Sequence, residues 1–387
     1  MNTQDFSNAS PGRLRRTNKG YWAFCPNPLP PKVDWSSGLI TSLTEAERNL
    51  AHLAALADTL PSPHILWRPF IHREAVLSSR IEGTQASIQD LFNYESNQLS
   101  FLKDTADVRE VYNYVRALDF AVERSKTLPI SLRLIREMHT ILMEGARGEH
   151  LTPGEFRRSQ NWIGAPGSTI EGATYVPPPV DEMLQALDAL EKFIHSPIGI
   201  PQLVGIGLIH YQFEAIHPFL DGNGRIGRLL VVLLLIEWGL ISQPMLYLSA
   251  FFEAHRLDYY DRLLAVSLRG EWENWLLFFL RGISSQSLDA IRRIESIGQL
   301  RQDYRERVHN TRAVSRLEEV VDILFERPIL SIRQLGLAMS IPYITAQRYM
   351  ENLVEAGVLR EVTGRKRNRI YQSEEILLVL EKSGRNQ

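Results

Sequence analysis

A single cysteine, Cys25, occurs in 387 residues. That excludes an intrachain disulfide and any zinc site built on cysteines, and nothing in it calls for an oxidising compartment. An excess of one charge is also missing: 43 Lys+Arg stand against 45 Asp+Glu, a formal net charge of −2. Binding nucleic acid by bulk charge is thereby excluded, and only local basic patches remain for it. Long hydrophobic runs are absent too. The longest, Leu229 to Ile236, stops at Glu237, far short of the ~20 residues that span a bilayer. Met1 to Lys19 is polar, with Arg13, Arg15 and Arg16 and no apolar stretch behind them, so no export signal is expected. Neither an internal repeat nor a low-complexity tract is found. The expectation is a cytoplasmic protein with no membrane partner.

What is present is ordinary globular composition, 44% hydrophobic and 23% charged, enough to bury a sizeable core. At roughly 100–200 residues per domain the length suggests two or three domains. Met1 to Ser37, rich in Pro, Asn and Ser, reads as an extended arm pinned by Tyr21, Trp22 and Phe24. Helical periodicity follows. Thr44 reads as the N-cap of a helix that includes Leu50 to Leu60 and is ended by Pro61 and Pro63. A second helix is expected from about Pro69 to Ile81, stopped by Gly83. Further helices are expected around Ser87–Tyr94, Ala106–Arg124, Ser131–Glu144, Asp181–His195, Ala254–Leu268 and Trp272–Arg293. Phe156 to Pro179 breaks the pattern: two short extended stretches around a Gly/Pro/Ser turn read as a β-hairpin ended by Pro177–Pro179. The tail reads as three helices, Arg312–Phe325, Ser331–Met339 and Tyr343–Ala356, followed by a basic hairpin, the order of a winged helix-turn-helix.

The chemistry concentrates in His217-Pro218-Phe219-Leu220-Asp221-Gly222-Asn223-Gly224-Arg225-Ile226-Gly227-Arg228. Apolar residues before it predict a buried helix that Pro218 ends at His217. Gly222-Asn223-Gly224 reads as a turn, with Arg225 opening a second helix that is apolar nearly all round. A glycine-rich loop at a helix N-terminus favours an anion. Arg225 and Arg228, three apart, reach phosphate oxygens. Asp221 offers a hard oxygen to Mg²⁺, and His217 is a base suited to neutral pH. Together these make a phosphoryl- or nucleotidyl-transfer constellation. Other nucleotide motifs fit badly, because Arg-Ile follows the second glycine where a phosphate-binding P-loop has Lys-Ser/Thr. A zinc reading is weak, since His210 and His217 are seven apart with no His-Glu-x-x-His pattern.

That segment resembles the signature of the Fic (fido) family, His-Pro-Phe-x-Asp-Gly-Asn-Gly-Arg-x-x-Arg, with every defining position filled. The wider resemblance runs from about Pro61 to Leu280 and includes Gly154-Glu155-Phe156-Arg157, Asn161-Trp162-Ile163-Gly164 and Tyr175-Val176-Pro177-Pro178. It implies a mainly α fold: a Fic-type helical core with a β-hairpin flap, plus the C-terminal winged helix-turn-helix. The divisions expected are 1–128 for the arm and N-terminal helices, 129–285 for the catalytic core and 286–387 for the winged helix-turn-helix domain.

The resemblance also implies an activity, transfer of AMP from ATP to a Ser, Thr or Tyr hydroxyl of a target protein, including the chain itself. By that resemblance His217 takes the target's proton and Asp221 holds Mg²⁺ on the phosphates. Gly222, Asn223 and Gly224 form the anion hole, Arg225 stabilises departing pyrophosphate and Arg228 binds the γ-phosphate. Ile226 and Gly227 complete the nucleotide-binding stretch, and Tyr259 and Tyr260 lie near the adenine. Thr174, Tyr175 and Val176 pair with the target backbone as an added strand. Ser78-Ser79-Arg80-Ile81-Glu82-Gly83 resembles the family's inhibitory motif, in which the glutamate pairs with the second motif arginine, here Arg228. Residues Ser78, Glu82 and Gly83 carry that match.

Three alternatives stay open. Glu82 orients a water for removing AMP rather than blocking its transfer. The tail is a DNA-binding regulator whose core is a sensor, with Tyr343, Thr345, Gln347 and Arg348 in a groove and Arg365, Lys366, Arg367 and Arg369 on phosphates; or it is a protein-docking unit. A homodimer is the prior for an enzyme of this size.

Overall fold

The computed structural model describes every residue except 61–62, 97–105, 149, 197–198, 310–313, 366 and 382–387. Lys366 and the first residues of the expected helix Arg312–Phe325 lie outside the described residues. The fold is mainly helical. Two strands open it, β1 (Gly12–Arg16) and β2 (Trp22–Pro26), followed by α1 (Ser37–Asp58), α2 (Pro63–Ile81), α3 (Ile88–Ser96), α4 (Ala106–Ser125) and α5 (Leu132–Met143). The central part comprises α6 (Val180–His195), α7 (Gln202–Ile216), α8 (Asn223–Glu237), α9 (Ser249–Ala254), α10 (Arg256–Arg269) and α11 (Trp272–His309). The tail comprises α12 (Val314–Glu326), β3 (Ile329–Ser331), α13 (Ile332–Ala338), α14 (Tyr343–Glu355), β4 (Arg360–Glu361), β5 (Ile370–Gln372) and α15 (Glu374–Glu381).

Helices α7 and α8 form the centre. Both are buried on nearly every face, as their continuous apolar sequences require. α2, α4 and α5 pack beside α8, while α6, α10 and α11 enclose α7. The site loop between α7 and α8 is therefore held by a fixed core.

Several expectations need correction. The N-terminal arm is an antiparallel hairpin in which Leu14 pairs with Phe24, and Phe24 is fully buried; the Asn-Lys-Gly turn between the strands was the missed signal. α1 begins seven residues before Thr44, because Ser36 caps it by accepting the Leu39 N–H at 3.1 Å. Pro69 lies inside α2 rather than at its start. The expected flap hairpin shrinks to one antiparallel bridge, Ile163 to Tyr175, since the Pro and Gly residues around it remove the donors and side chains a ladder needs. No linker separates 285 from 286: α11 runs unbroken across that boundary.

In the tail the sheet order is β3-β5-β4, all antiparallel. A capping box at Ser331 and Gln334 starts α13. Helix α15, which the sequence reading did not include, returns onto α11, where Arg293 donates to the Val379 carbonyl at 2.6 Å.

Candidate active site

α7 ends at His217 in a left-handed conformation, φ 49° and ψ 62°. A non-glycine residue there costs about 1–2 kcal/mol, so the surroundings must impose it. They do. Arg157 is almost fully buried and donates through Nε to the His217 carbonyl at 3.0 Å, through Nη1 to Ser159 and through Nη2 to Pro178. Asn161 Nδ2 donates to the Phe219 carbonyl at 2.8 Å. The Asn223 side chain closes the same loop, accepting from the Phe219 N–H and donating to its carbonyl, both at 2.8 Å. His139 accepts the Gly154 N–H at Nδ1, 2.8 Å, which leaves its Nε2–H to donate to the Asp221 carbonyl at 3.0 Å. Its ring stacks on Phe219 at 3.8 Å, and burial pushes its pKa down to about 4.

His217 Nδ1 lies 3.3 Å from the Glu214 carbonyl, so it carries the proton and Nε2 is bare. Burial lowers the imidazole pKa to about 4, against a smaller upward pull from the Glu214 carbonyl. The ring is neutral at pH 7.

Gly222 precedes α8 with φ 78°, and a Cβ there would meet Met143 Sδ at 3.1 Å. The N–H groups of Asn223, Gly224 and Arg225 open α8, where a helix leaves its first donors without internal partners. Gly224 therefore sits inside the first helical turn, not in the turn before it. A Cβ on it would stand 2.3 Å from Glu82 Oε1, so only glycine lets that carboxylate close on the loop.

Arg225 and Arg228 are 3% and 2% exposed and meet different partners. Arg225 lies 3.6 Å from both Glu110 and Asp221, and its Nε and Nη1 have no hydrogen-bond partner. Arg228 donates through Nη2 to Glu82 Oε1 at 2.7 Å and to the Ser78 carbonyl at 2.9 Å, and through Nε to Ser78 Oγ at 2.8 Å. Its Nη1 has no partner. Burial alone would raise the Glu82 pKa, but Arg228 more than reverses this, and the carboxyl sits below its ordinary value. Gly83, at φ 100°, turns the chain just past α2.

Asp221 is 43% exposed, and Oδ1 accepts the Gly222 N–H at 2.6 Å. No group of three or more metal-binding side chains occurs among the described residues. A lone carboxylate is nevertheless the donor set Mg²⁺ takes when phosphates supply further ligands, and Asp221 fits that.

Ile226 is buried on the core side of α8. Gly227 donates no side chain; its carbonyl faces His210 Nδ1 at 3.2 Å, and His210 Nε2 meets the Tyr259 hydroxyl at 2.8 Å. Tyr259 is buried, while Tyr260 is 40% exposed.

Thr174, Tyr175 and Val176 run beside the loop. Thr174 and Tyr175 N–H groups both donate to the Ile163 carbonyl, and the Val176 carbonyl accepts from Phe24 of β2 at 2.9 Å. At Val176 the stretch therefore meets the chain's own N-terminal strand. Trp162 and Ile163, on the opposite edge, are each 41% exposed.

Residues 40–123 match the sequence profile described as Fic/DOC family N-terminal, and residues 129–235 match that of the Fic/DOC family. The chain belongs to the Fic/DOC family. A probable protein adenylyltransferase of Aquifex aeolicus is 28% identical over 187 residues, covering 47% of this chain and 54% of that protein. Protein adenylyltransferase Fic of Drosophila grimshawi is 30% identical over 217 residues, covering 50% of this chain and 40% of that protein. The chain thus spans about half the length of the curated relatives it matches, or less. A Fic family protein from Desulfovibrio desulfuricans G20 has a similar fold, with TM-score 0.58 at 18% identity over 93% of this chain and 100% of that one. Fic-1 from C. elegans aligns with TM-score 0.53 at 20% identity over 67% of this chain and 74% of that one. No helix among the described residues is long and apolar enough to cross a membrane.

The residues that sequence reasoning missed are those that hold the Fic loop: Arg157, Asn161 and His139. The first two stood in stretches noted only for resemblance. His139 lies on an amphipathic helix, where a histidine gives no signal of its own.

Proposed function

We propose that the chain is a protein adenylyltransferase that moves AMP from ATP onto a Ser, Thr or Tyr hydroxyl of a target protein. The observation that carries this reading is the set of buried guanidinium nitrogens without partners, on Arg225 and Arg228, beside the N-terminus of α8. Buried charged donors are left unpaired at such cost that a polyanion is their natural complement.

The steps follow from the placement. His217 Nε2 takes the proton of the target hydroxyl as its oxygen bonds to the α-phosphorus. The α–β phosphoanhydride bond breaks, and pyrophosphate leaves toward Arg225 and Arg228. The N–H groups of Asn223 and Gly224 receive the α-phosphate oxygens, preorganised by the helix, and Gly222, whose own N–H is taken by Asp221 Oδ1, supplies the left-handed turn that aims them. Asp221 would hold Mg²⁺, which when bound neutralises phosphate charge. Glu82 occupies the Arg228 nitrogen that a γ-phosphate needs, so the chain is autoinhibited on this reading. Tyr260 offers an accessible aromatic face to the base. The site of action is the cytoplasm, where ATP is abundant.

α-³²P-labelled ATP with Mg²⁺ tests this on the full chain, its Glu82→Gly variant and the double variant with His217→Ala. Label on protein in the Glu82→Gly lane only is the expected result. Unlabelled protein in every lane, with a cell lysate added as target and with labelled UTP as donor, overturns the reading.

A second reading rests on one observation. The Glu82 carboxylate reaches the start of α8, its Oε1 2.7 Å from Arg228 Nη2 and against Gly224, and on this reading it orients a water that removes AMP. Demodification of AMP-labelled target by wild type and not by Glu82→Gly would distinguish it. The tail we read as a winged helix-turn-helix, supported by the order of α12, α13, α14 and the β4–β5 hairpin.

A further inference from the structure

A buried carboxylate outside the signature stands against the Fic loop. Glu110, on α4, is 4% exposed. Its Oε2 lies 3.6 Å from Arg225 Nη1 and accepts the Thr84 hydroxyl at 3.0 Å. Its Oε1 lies 3.5 Å from Arg147 Nε. Thr84 is two residues past Glu82, and Arg147 precedes Gly148, where an added Cβ would come within 2.8 Å of Asp221 Oδ2. Glu110 therefore meets the end of the inhibitory segment, the loop beside Asp221 and the first motif arginine at once.

Arg225 shows what this contact does. A guanidinium only 3% exposed needs a nearby opposite charge. Among the described residues two carboxylates pair with it, each at 3.6 Å and neither making a hydrogen bond. Asp221 is 43% exposed and, on the proposed reading, engaged by Mg²⁺ in the working enzyme. That leaves Glu110 as the permanent counter-charge. At 3.6 Å the attraction keeps Arg225 buried and directed, while the separation leaves its Nε and Nη1 protons uncommitted. A shorter, bidentate pair would satisfy those donors and make them useless to a phosphate.

We propose that Glu110 is a positioning residue for Arg225, holding its guanidinium in place for the departing pyrophosphate without capping it. This rests on the transferase reading of Arg225.

Glu110→Gln keeps the shape and the acceptor for Thr84 but removes the charge. It is compared with Glu110→Asp and Thr84→Val, all in the active Glu82→Gly background. The readings are kcat, KM for ATP, inhibition by inorganic pyrophosphate and the melting temperature. Glu110→Gln is expected to lower kcat about 10- to 100-fold, the usual penalty for losing a group that orients a ligand-binding side chain. Pyrophosphate inhibition should weaken in parallel, with ATP KM changing far less. Glu110→Asp restores the charge at longer reach and should recover part of kcat. Thr84→Val removes the hydroxyl that Glu110 accepts, leaves its Arg147 contact standing, and should leave kcat unchanged.

An unchanged kcat and pyrophosphate inhibition in Glu110→Gln overturns the proposal. So does a fall in kcat that Thr84→Val reproduces, or that only tracks a lower melting temperature, because the role is then structural. Arg225→Ala in the same background separates the two layers. If it transfers nucleotide normally, the reading of Arg225 fails and takes the proposal with it; if it is impaired while Glu110→Gln is not, the proposal alone fails.

Discussion

Arg228 and Glu82 lie 146 residues apart in sequence and 2.7 Å apart in the fold. The second motif arginine of α8 meets the residue that follows α2, and Gly224 between them leaves room for the contact. Both groups are held charged: Arg228 by the Glu82 carboxylate against its burial, and Glu82 by Arg228 against its own. A nucleotide that needs Arg228 has to replace a charge-assisted hydrogen bond of about 1.5–3 kcal/mol. Glu82→Gly is therefore expected to raise the rate of AMP transfer by about 10- to 100-fold, measured as label incorporated at saturating ATP. Equal rates in the two proteins would show that the pair does not restrain the site.

If that pair restrains the site, Ser78 shares in the restraint. It supplies two of the three acceptors for Arg228, one from its hydroxyl and one from its carbonyl. Ser78→Ala removes only the hydroxyl contact and leaves the Glu82 pair standing. The expected outcome is partial activation, between wild type and Glu82→Gly, with stability lower by about 1–2 kcal/mol. Denaturant melts and the labelling assay on one preparation check both halves.

His217 is neutral well below physiological pH, because burial holds its pKa at about 4. A base must be unprotonated to accept the target's proton. Activity of Glu82→Gly should therefore stay level as pH falls from 8 to about 5.5 and decline only as pH approaches 4. A midpoint near 6.5, the ordinary imidazole value, would mean that the ring is solvated in the working enzyme.

Much of this site was legible in the residues alone. His217 through Arg228 form a continuous segment whose backbone needs and charges are local, so a reader can infer a loop and a helix start there and propose an anion site. Pairing of Glu82 with Arg228 was also within reach, because a carboxylate at a helix C-terminus calls for a cation. The supports were not legible. Arg157, Asn161 and His139 act by donating to carbonyls of the loop, and a carbonyl has no sequence identity. Glu110 stands in an amphipathic helix, where one glutamate among others carries no sign of burial. The flap was misjudged for a related reason. Strand-like composition around Thr174–Val176 outweighed the Pro and Gly residues that limit its pairing with Ile163 to one bridge, and gave no notice that β2 would take the Val176 carbonyl.

Glu214 connects the site to stability. Its carboxyl lies between α7 and α8 with Oε1 buried and without a partner. Burial raises its pKa to about 8; Arg228 pulls it down and Glu82 pushes it up by smaller amounts. The folded state thus binds this proton far more tightly than the unfolded chain. Stability from this group is complete below the ordinary carboxyl range, declines as pH rises above about 4.5 and levels off near 8. Glu214→Gln, which mimics the neutral form, should flatten the fall in unfolding free energy between pH 5 and 8. Parallel slopes for variant and wild type in urea melts would remove Glu214 from that role.

The tail allows a test that deletion cannot give. Tyr304 of α11 bonds the Ser373 hydroxyl at 2.7 Å in a buried contact, and Arg293 reaches the Val379 carbonyl of α15. Leu317, Val320, Val321, Leu324 and Phe325 of α12 are fully buried. Removing residues 313–387 would strip this packing from α2 and α11, and each large buried side chain lost costs about 1.5–3 kcal/mol. Truncation is therefore expected to destabilise the whole chain, and loss of DNA binding in it would say nothing about the tail. Exposed residues avoid the difficulty. Arg365 and Arg367 on the β4–β5 turn are exposed, as are Tyr343 and Ile344 at the start of α14, Ile344 by 81%. If this face binds DNA, Arg365→Ala with Arg367→Ala should weaken the complex at every sequence and reduce its salt dependence by about two phosphate contacts. Tyr343→Ala should instead relax sequence preference. Filter binding of the full chain across a salt series measures both, and a full chain that holds no DNA at low salt would remove the DNA-binding reading of the tail.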